Sequence, residues 1–263
     1  AADLVTTYAA QGVSEGIDGL GNEAVSVSGA SSAASDLNTV NTATTGVVTV
    51  ASTTITGTAS VVATTYAAQG VSEGIDGLGN EAVSISGASS AAADLVAINT
   101  ATTGVVTIAS TTITGSAADT AAVYAAQGAA EGVDGLGNEA VSISGSSSAA
   151  ADLIAINTAT TGVVTVASTT ITGSYGDVLI TYDANTAGTI AGLGNEAITL
   201  SSTNTVDQIN TIAGKTSGTL TASISDNDMS TLDGITESGN ALTISVTDSS
   251  VAASNLNTLD GKT

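Results

Sequence analysis

Tyr8, Tyr66, Tyr124 and Tyr182 recur at intervals of 58 residues, and residues 8–57 differ from residues 66–115 at only six of 50 positions. Three of the six exchange Val for Ile (Val27 with Ile85, Val40 with Ile98, Val50 with Ile108). An interior site tolerates that swap because both side chains are β-branched and similar in volume. A repeat of this length constrains the fold more than any other feature of the chain. Each unit must bury its apolar face on its neighbours, which is the plan of a solenoid, a propeller or an array.

Two smaller rungs lie within each 58-residue unit. Strands are expected to begin near Ala24, Val47, Ala82, Val105, Ala140, Val163, Ala197, Thr219 and Ala241, at steps of 22, 23, 34 or 35 residues. The alternation places Val25/Val27, Val48/Val50, Val83/Ile85, Val106/Ile108, Val141/Ile143, Val164/Val166, Ile198/Leu200 and Leu242/Ile244 inward. It turns the intervening Ser26, Thr49, Ser84, Thr107, Ser142, Thr165, Thr199 and Thr243 outward. Helices are expected over 31–43, with its leading serines as N-cap and Leu37 and Val40 on one face, and over 58–68, with Val62 and Tyr66 on one face. In the third copy Ser116 and Asp119 form a capping signal.

One strand and one short helix or turn per rung predicts a β-rich repeat solenoid, β or α/β, with its strands stacked into a parallel sheet. Residues 1–263 read as one array of 58-residue units with two rungs each, and 201–263 as shorter rungs without the long Gly-rich segment. The layout resembles that of leucine-rich repeats, but their L-x-x-L-x-L-x-x-N order is missing. Both ends read as cuts inside a longer array.

Composition excludes several function classes. The chain holds 24 acidic residues against Lys215 and Lys262, a net charge of −22. Such a field repels phosphate backbones and anionic headgroups, so nucleic acid is not an expected partner. No apolar run reaches the roughly 18 residues of a membrane span. With no His or Cys, a nucleophile–base pair cannot be assembled, and the chain does not read as an enzyme. The apolar fraction of 42% nevertheless argues for a packed core, built from Ala, Val, Ile and Leu.

The candidate ligand set lies in the loop "EGIDGLGNEA". Glu15, Asp18, Asn22 and Glu23, with the copies Glu73, Asp76, Asn80 and Glu81, and Glu131, Asp134, Asn138 and Glu139, offer the oxygen donors that suit Ca²⁺. The fourth copy keeps Asn195 and Glu196 but lacks the earlier acids, which favours a solvated turn with Glu23 at its rim. The tyrosines read as packing residues with rim hydroxyls, and Asn41, Asn99, Asn157 and Asn210 as an internal ladder satisfying turn backbone. "TTITG" at 53–57, 111–115 and 169–173 invites comparison with an ice-binding face, but its spacing favours a strand end before a Gly turn. "GKT" at 214–216 lacks the upstream glycine of a phosphate loop and reads as a turn.

"ASNLNTLDGKT", "TVDQINTIAGKTSG", "TTITGSAADTAAVYAAQG" and "GLGNEAVSISG" resemble the Thr/Ala/Gly-rich repeats of very large acidic surface or secreted proteins of marine cyanobacteria and their phages. The resemblance implies an extracellular or cell-surface role, structural or adhesive. The expected function is a stiff acidic element of a surface fibre, filament or adhesin stalk, which self-associates head to tail or continues the same array. The alternatives are a Ca²⁺-dependent or glycan-binding adhesion module with a cell-surface partner, or a phage tail-fibre segment.

Overall fold

The computed structural model describes residues 1–14 and 16–263. The chain forms two units, residues 1–114 with 122–139, and residues 115–121 with 140–263. It is an α/β protein of alternating strands and helices, and every described strand pairing is parallel.

The first unit opens with helix α1 (Ala2–Ala9), strands β1 (Val25–Val27) and β2 (Ser31–Ala33), and helix α2 (Ala34–Ala43). The strand–turn–strand–helix order returns as β3 (Val48–Val50), β4 (Thr54–Thr58) and α3 (Ala59–Ala67). A short strand β5 (Ile75–Asp76) precedes β6 (Ala82–Ser86), β7 (Ser89–Ala91) and α4 (Ala92–Ala101). Then follow β8 (Val106–Ile108), β9 (Thr112–Gly115), α5 (Ala117–Ala125), of which residues 117–121 belong to the second unit, and β10 (Val133–Asp134). The strands pair in the orders β1-β3-β5 and β2-β4-β6-β8-β10, with β7 on β9.

The second unit continues with β11 (Ala140–Ile143), β12 (Ser147–Ala149), α6 (Ala150–Ala159), β13 (Val164–Val166), β14 (Thr170–Gly173) and α7 (Tyr175–Ala187). It ends with β15 (Ile190–Ala191), β16 (Ala197–Asn204), α8 (Val206–Ala213), β17 (Leu220–Ile224), α9 (Met229–Leu232), β18 (Ala241–Thr243) and α10 (Ala253–Asp260). Here the orders are β11-β13-β15 and β12-β14-β16-β17-β18.

Strands are found at all nine expected places, but they do not stack into one sheet. β6 is the copy of β1, yet it does not extend the β1 column. The Gly-rich loop first lays Ile75 on Val48 in β3, then carries the chain sideways so that Val83 lands on Ile55 in β4. The long loop therefore moves the chain onto the column that β2 and β4 began, and β7 opens the next one. The unexpected strands explain the shift. "SSA" and "TTITG" carry too few apolar residues to show a period of two, yet Ser32 pairs with Ile55 in β2–β4 and Ser90 with Ile113 in β7–β9. Consequently the first helix of the pattern begins at Ala34 rather than residue 31, and its N-cap Ala33 contributes no side-chain cap. Ser32 is instead buried, its hydroxyl 2.7 Å from that of Ser52, and Ser90–Ser110 and Ser148–Ser168 repeat the pair.

The core is the predicted aliphatic strip. Val25 to Leu200 in the seven expected inward pairs are buried, whereas Leu242 and Ile244 are half-buried. From the helices Leu37, Val40, Val62 and Tyr66 join them, as expected, and so does Ile55 of the unanticipated β4. Each such Val, Leu or Ile contributes about 1.5–3 kcal/mol on burial, so many small contributions replace the missing large aromatics. Ser116 caps α5 as expected, its Oγ accepting from Asp119 N at 3.1 Å, but Thr58 gives α3 no side-chain cap. Among the described residues no helix is long and apolar enough to cross a membrane.

Candidate functional site

The Gly-rich loop is best followed in its second copy. Tyr66 sits in the last turn of α3 and Gln69 just beyond it. The chain then loops back, with Ile75 N donating to Ala68 O at 2.9 Å and Gly70 N to Ile75 O at 3.0 Å. Gly70 (φ +69) and Glu73 (φ +62) both hold the left-handed conformation. Gln69 clasps the next turn through both ends of its amide: Nε2 donates to Leu78 O at 3.2 Å and Oε1 accepts from Leu78 N at 3.1 Å. Gly77, at φ +87, passes so close to β3 that a Cβ there would lie 2.4 Å from Val50 O.

The "GNE" turn closes on itself. The Glu81 carboxylate accepts from Gly79 N at 2.9 and 3.0 Å and from Asn80 N at 3.2 Å. The Tyr66 hydroxyl donates to Glu81 Oε1 in a very short bond. Glu81 is 2% exposed, and three donors supply what burial of its charge requires. Thr102 Oγ1 donates to Glu81 O at 2.8 Å and accepts from Gly104 N at 3.0 Å, which ties the turn to the segment after α4.

The arrangement recurs. Tyr8 donates to Glu23, Tyr124 to Glu139 and Tyr182 to Glu196, each carboxylate also taking the N–H groups of its own Gly and Asn. Burial pushes the Tyr66 and Tyr182 hydroxyls far above the ordinary phenol range, with the neighbouring carboxylate adding to the effect. Tyr8 is raised for the same reasons. The hydrogen bond from Tyr8, joined by backbone N–H groups, holds Glu23 below the usual carboxylate range against the opposing effect of burial.

This geometry corrects the reading of Glu23 as a solvated or cation-facing rim residue. Glu81 and Glu139 are buried, Glu23 is half-buried, and all three carboxylates point back into their own turns. The tyrosine hydroxyls likewise lie on those carboxylates rather than at the rim. Of the other candidate ligands, Asp18, Asn22, Glu73, Asp76, Asn80, Glu131, Asp134 and Asn138 are exposed, and Glu15 lies outside the described residues. Among the described residues no three acidic side chains come together to hold a metal ion.

The remaining motifs resolve into structure. The "TTITG" threonines Thr54 and Thr56 are half-buried in β4, a strand paired on both sides. Within "GKT", Thr216 Oγ1 donates to Glu196 O at 2.7 Å and Lys215 pairs with Asp183 at 3.0 Å. The asparagine ladder holds at Asn210, which donates to Gly234 O at 2.8 Å and accepts from Thr236 N at 3.0 Å. At Asn41 and Asn99 the buried Oδ1 atoms have no hydrogen-bond partner among the described residues. Gln69 and its copies Gln11 and Gln127 were not anticipated, although each precedes its Leu by nine residues, a fixed spacing visible in the sequence. In the fourth copy Asn185 takes this place, accepting from Leu193 N at 3.3 Å.

No protein-family model, no curated protein and no solved structure matches this chain.

Proposed function

We propose that the chain is an extracellular structural element: a stiff, acidic α/β solenoid that forms part of a surface fibre, filament or adhesin stalk and associates with further copies of the same array. The observation that carries this reading is the use of the recurring polar motifs. Tyr–Glu, Gln–Leu, Thr–Glu carbonyl and Ser–Ser contacts all tie one segment of the repeat to itself or to the next. A repeated binding site would leave such groups turned outward.

Parallel registers that advance by about one rung, such as Val25 on Val48 and Ser32 on Ile55, support successive coils. Parallel crossovers of this kind are right-handed. Load along the stack would be shared by ladder hydrogen bonds and by a continuous aliphatic strip, and the charge of −22 would keep neighbouring fibres apart. The coil reading requires the ladder between successive rungs, so free amide exchange at Ser84 and Ile85, in β6 between β4 and β8, overturns it. Antibodies to residues 60–180 should label fibres on unpermeabilised producing cells or particles; label confined to the cell interior overturns the surface role.

A further inference from the structure

Residues 8–33 and 66–91 differ only at Val27/Ile85, yet the first copy is far less covered. Ile17 is 40% exposed, whereas its counterparts Ile75, Val133 and Ile190 are fully buried. Gly19 would find nothing within 4 Å of an added Cβ, whereas Gly77, Gly135 and Gly192 each sit against a carbonyl at 2.3–2.4 Å. Tyr8 and Glu23 are half-buried where Tyr66 and Glu81 are buried, and α1 buries no residue. Identical side chains cannot cause these differences; a missing neighbour does.

The other copies show what the neighbour is. Ile75 lies on Val48, Gly77 on Val50 O and Val83 on Ile55. Val48 N donates to Gly74 O at 3.0 Å, and Ala82 N donates to Thr53 O at 3.0 Å. All these partners belong to one segment, Gly46–Gly57, "GVVTVASTTITG", which recurs at 162–173 unchanged and at 104–115 with one Val-to-Ile change. The corresponding groups of the first copy, Gly16 O and Ala24 N, have no backbone partner among the described residues.

We infer that the face carrying Ile17, Gly19 and the open edge of β1 is a docking surface for a Gly-Val-Val-Thr-Val-Ala-Ser-Thr-Thr-Ile-Thr-Gly segment from another copy of the repeat, added as two parallel strands. Its second Val covers Ile17 and its Ile covers Val25, in the register of Val48 on Ile75 and Ile55 on Val83. Main-chain bonds to Gly16 O and Ala24 N supply attraction, and the two aliphatic contacts set the register. The segment carries no charged side chain, so it approaches an acidic chain without repulsion. The inference rests on the stacked-coil reading and adds the identity of the partner to it.

The test uses the full chain and a synthetic peptide of residues 46–57. The peptide should slow exchange of the Ala24 and Ser26 amides by at least about tenfold. A peptide carrying Val48→Cys should form a disulfide with the Ile17→Cys chain, and one carrying Thr49→Cys should not. Because a free peptide of this composition can self-associate, residues 46–58 are also fused directly ahead of Ala1, where protection of the same amides is expected and is lost with Ile55→Asp in the added arm. Unchanged exchange at Ala24 and Ser26 in the fusion, with Ser84 protected, overturns the inference and leaves stacking intact. Free exchange at Ser84 refutes stacking itself. Protection of Ala24 and Ser26 that grows with chain concentration alone assigns the face to a second intact chain and also overturns the inference.

Discussion

Replacing Tyr66 by Phe removes a single oxygen, and the structure sets what that loss should cost. The hydroxyl donates to the Glu81 carboxylate, which keeps Gly79 N at 2.9 and 3.0 Å and Asn80 N at 3.2 Å. The charge is therefore not stranded, and the roughly 3–5 kcal/mol expected for an unpaired buried charge does not apply. The ring stays in place, so no sizeable cavity opens. What remains is one hydrogen bond to a charged group, worth about 1.5–3 kcal/mol. At about 2–4 °C per kcal/mol for a chain of this size, Tm should fall by about 3–12 °C. Tyr8→Phe removes the same bond where both partners are half-buried, and water can replace the lost donor, so its effect should be smaller. Urea unfolding of the two variants, with amide exchange read at Gly79 and Gly21, measures the difference. Equal losses at the two positions, or a loss below about 0.5 kcal/mol at Tyr66, would refute the argument that burial makes this turn a lock.

Gly77→Ala and Gly19→Ala share the left-handed strain of φ +87, about 1–2 kcal/mol, but only Gly77 faces a carbonyl at 2.4 Å. Thermal melts should show a clearly larger loss for Gly77→Ala, and similar losses would contradict the close approach to β3. Stability should also fall at both ends of the pH scale. Tyr66 and Tyr182 are raised by burial, so their contribution is complete below the unfolded value of about 10 and is lost as pH rises through the higher folded values. Glu23 and Asp228 are lowered, by Tyr8 and by Ser230 with Thr231 respectively. Their contribution is present above about pH 4 and is lost as pH falls through the folded values. Tyrosinate absorbance that reaches its full amplitude near pH 10 with the fold intact would count against the alkaline half. Because the Glu81 and Glu139 carboxylates are taken up by their own turns, millimolar Ca²⁺ should shift Tm no more than Mg²⁺ does; a Ca²⁺-specific rise of several degrees would restore the ligand reading of this loop.

The repeat length, the alternation that buries Val83 and Ile85 while exposing Ser84, and the faces of α2 and α3 were all legible in the order of residues. These depend on neighbours a few residues away, so local periodicity reports them. The order of residues also marked the loop "GLGNEA" as special in every copy, but not why. A carboxylate beside glycines has the same sequence whether it meets a cation, water or its own backbone. Only the tertiary structure brings Tyr66 across 15 residues onto Glu81 and Gln69 onto Leu78, and only there does the glutamate become a buried anchor. The stacking order was hidden for the same reason. "TTITG" carries one buried Ile, too little for a period to show, and its place beneath the next copy's strand is a long-range pairing. Burial of Ile55 under Val83 decides that pairing, because stacking removes both side chains from water where the local chain cannot.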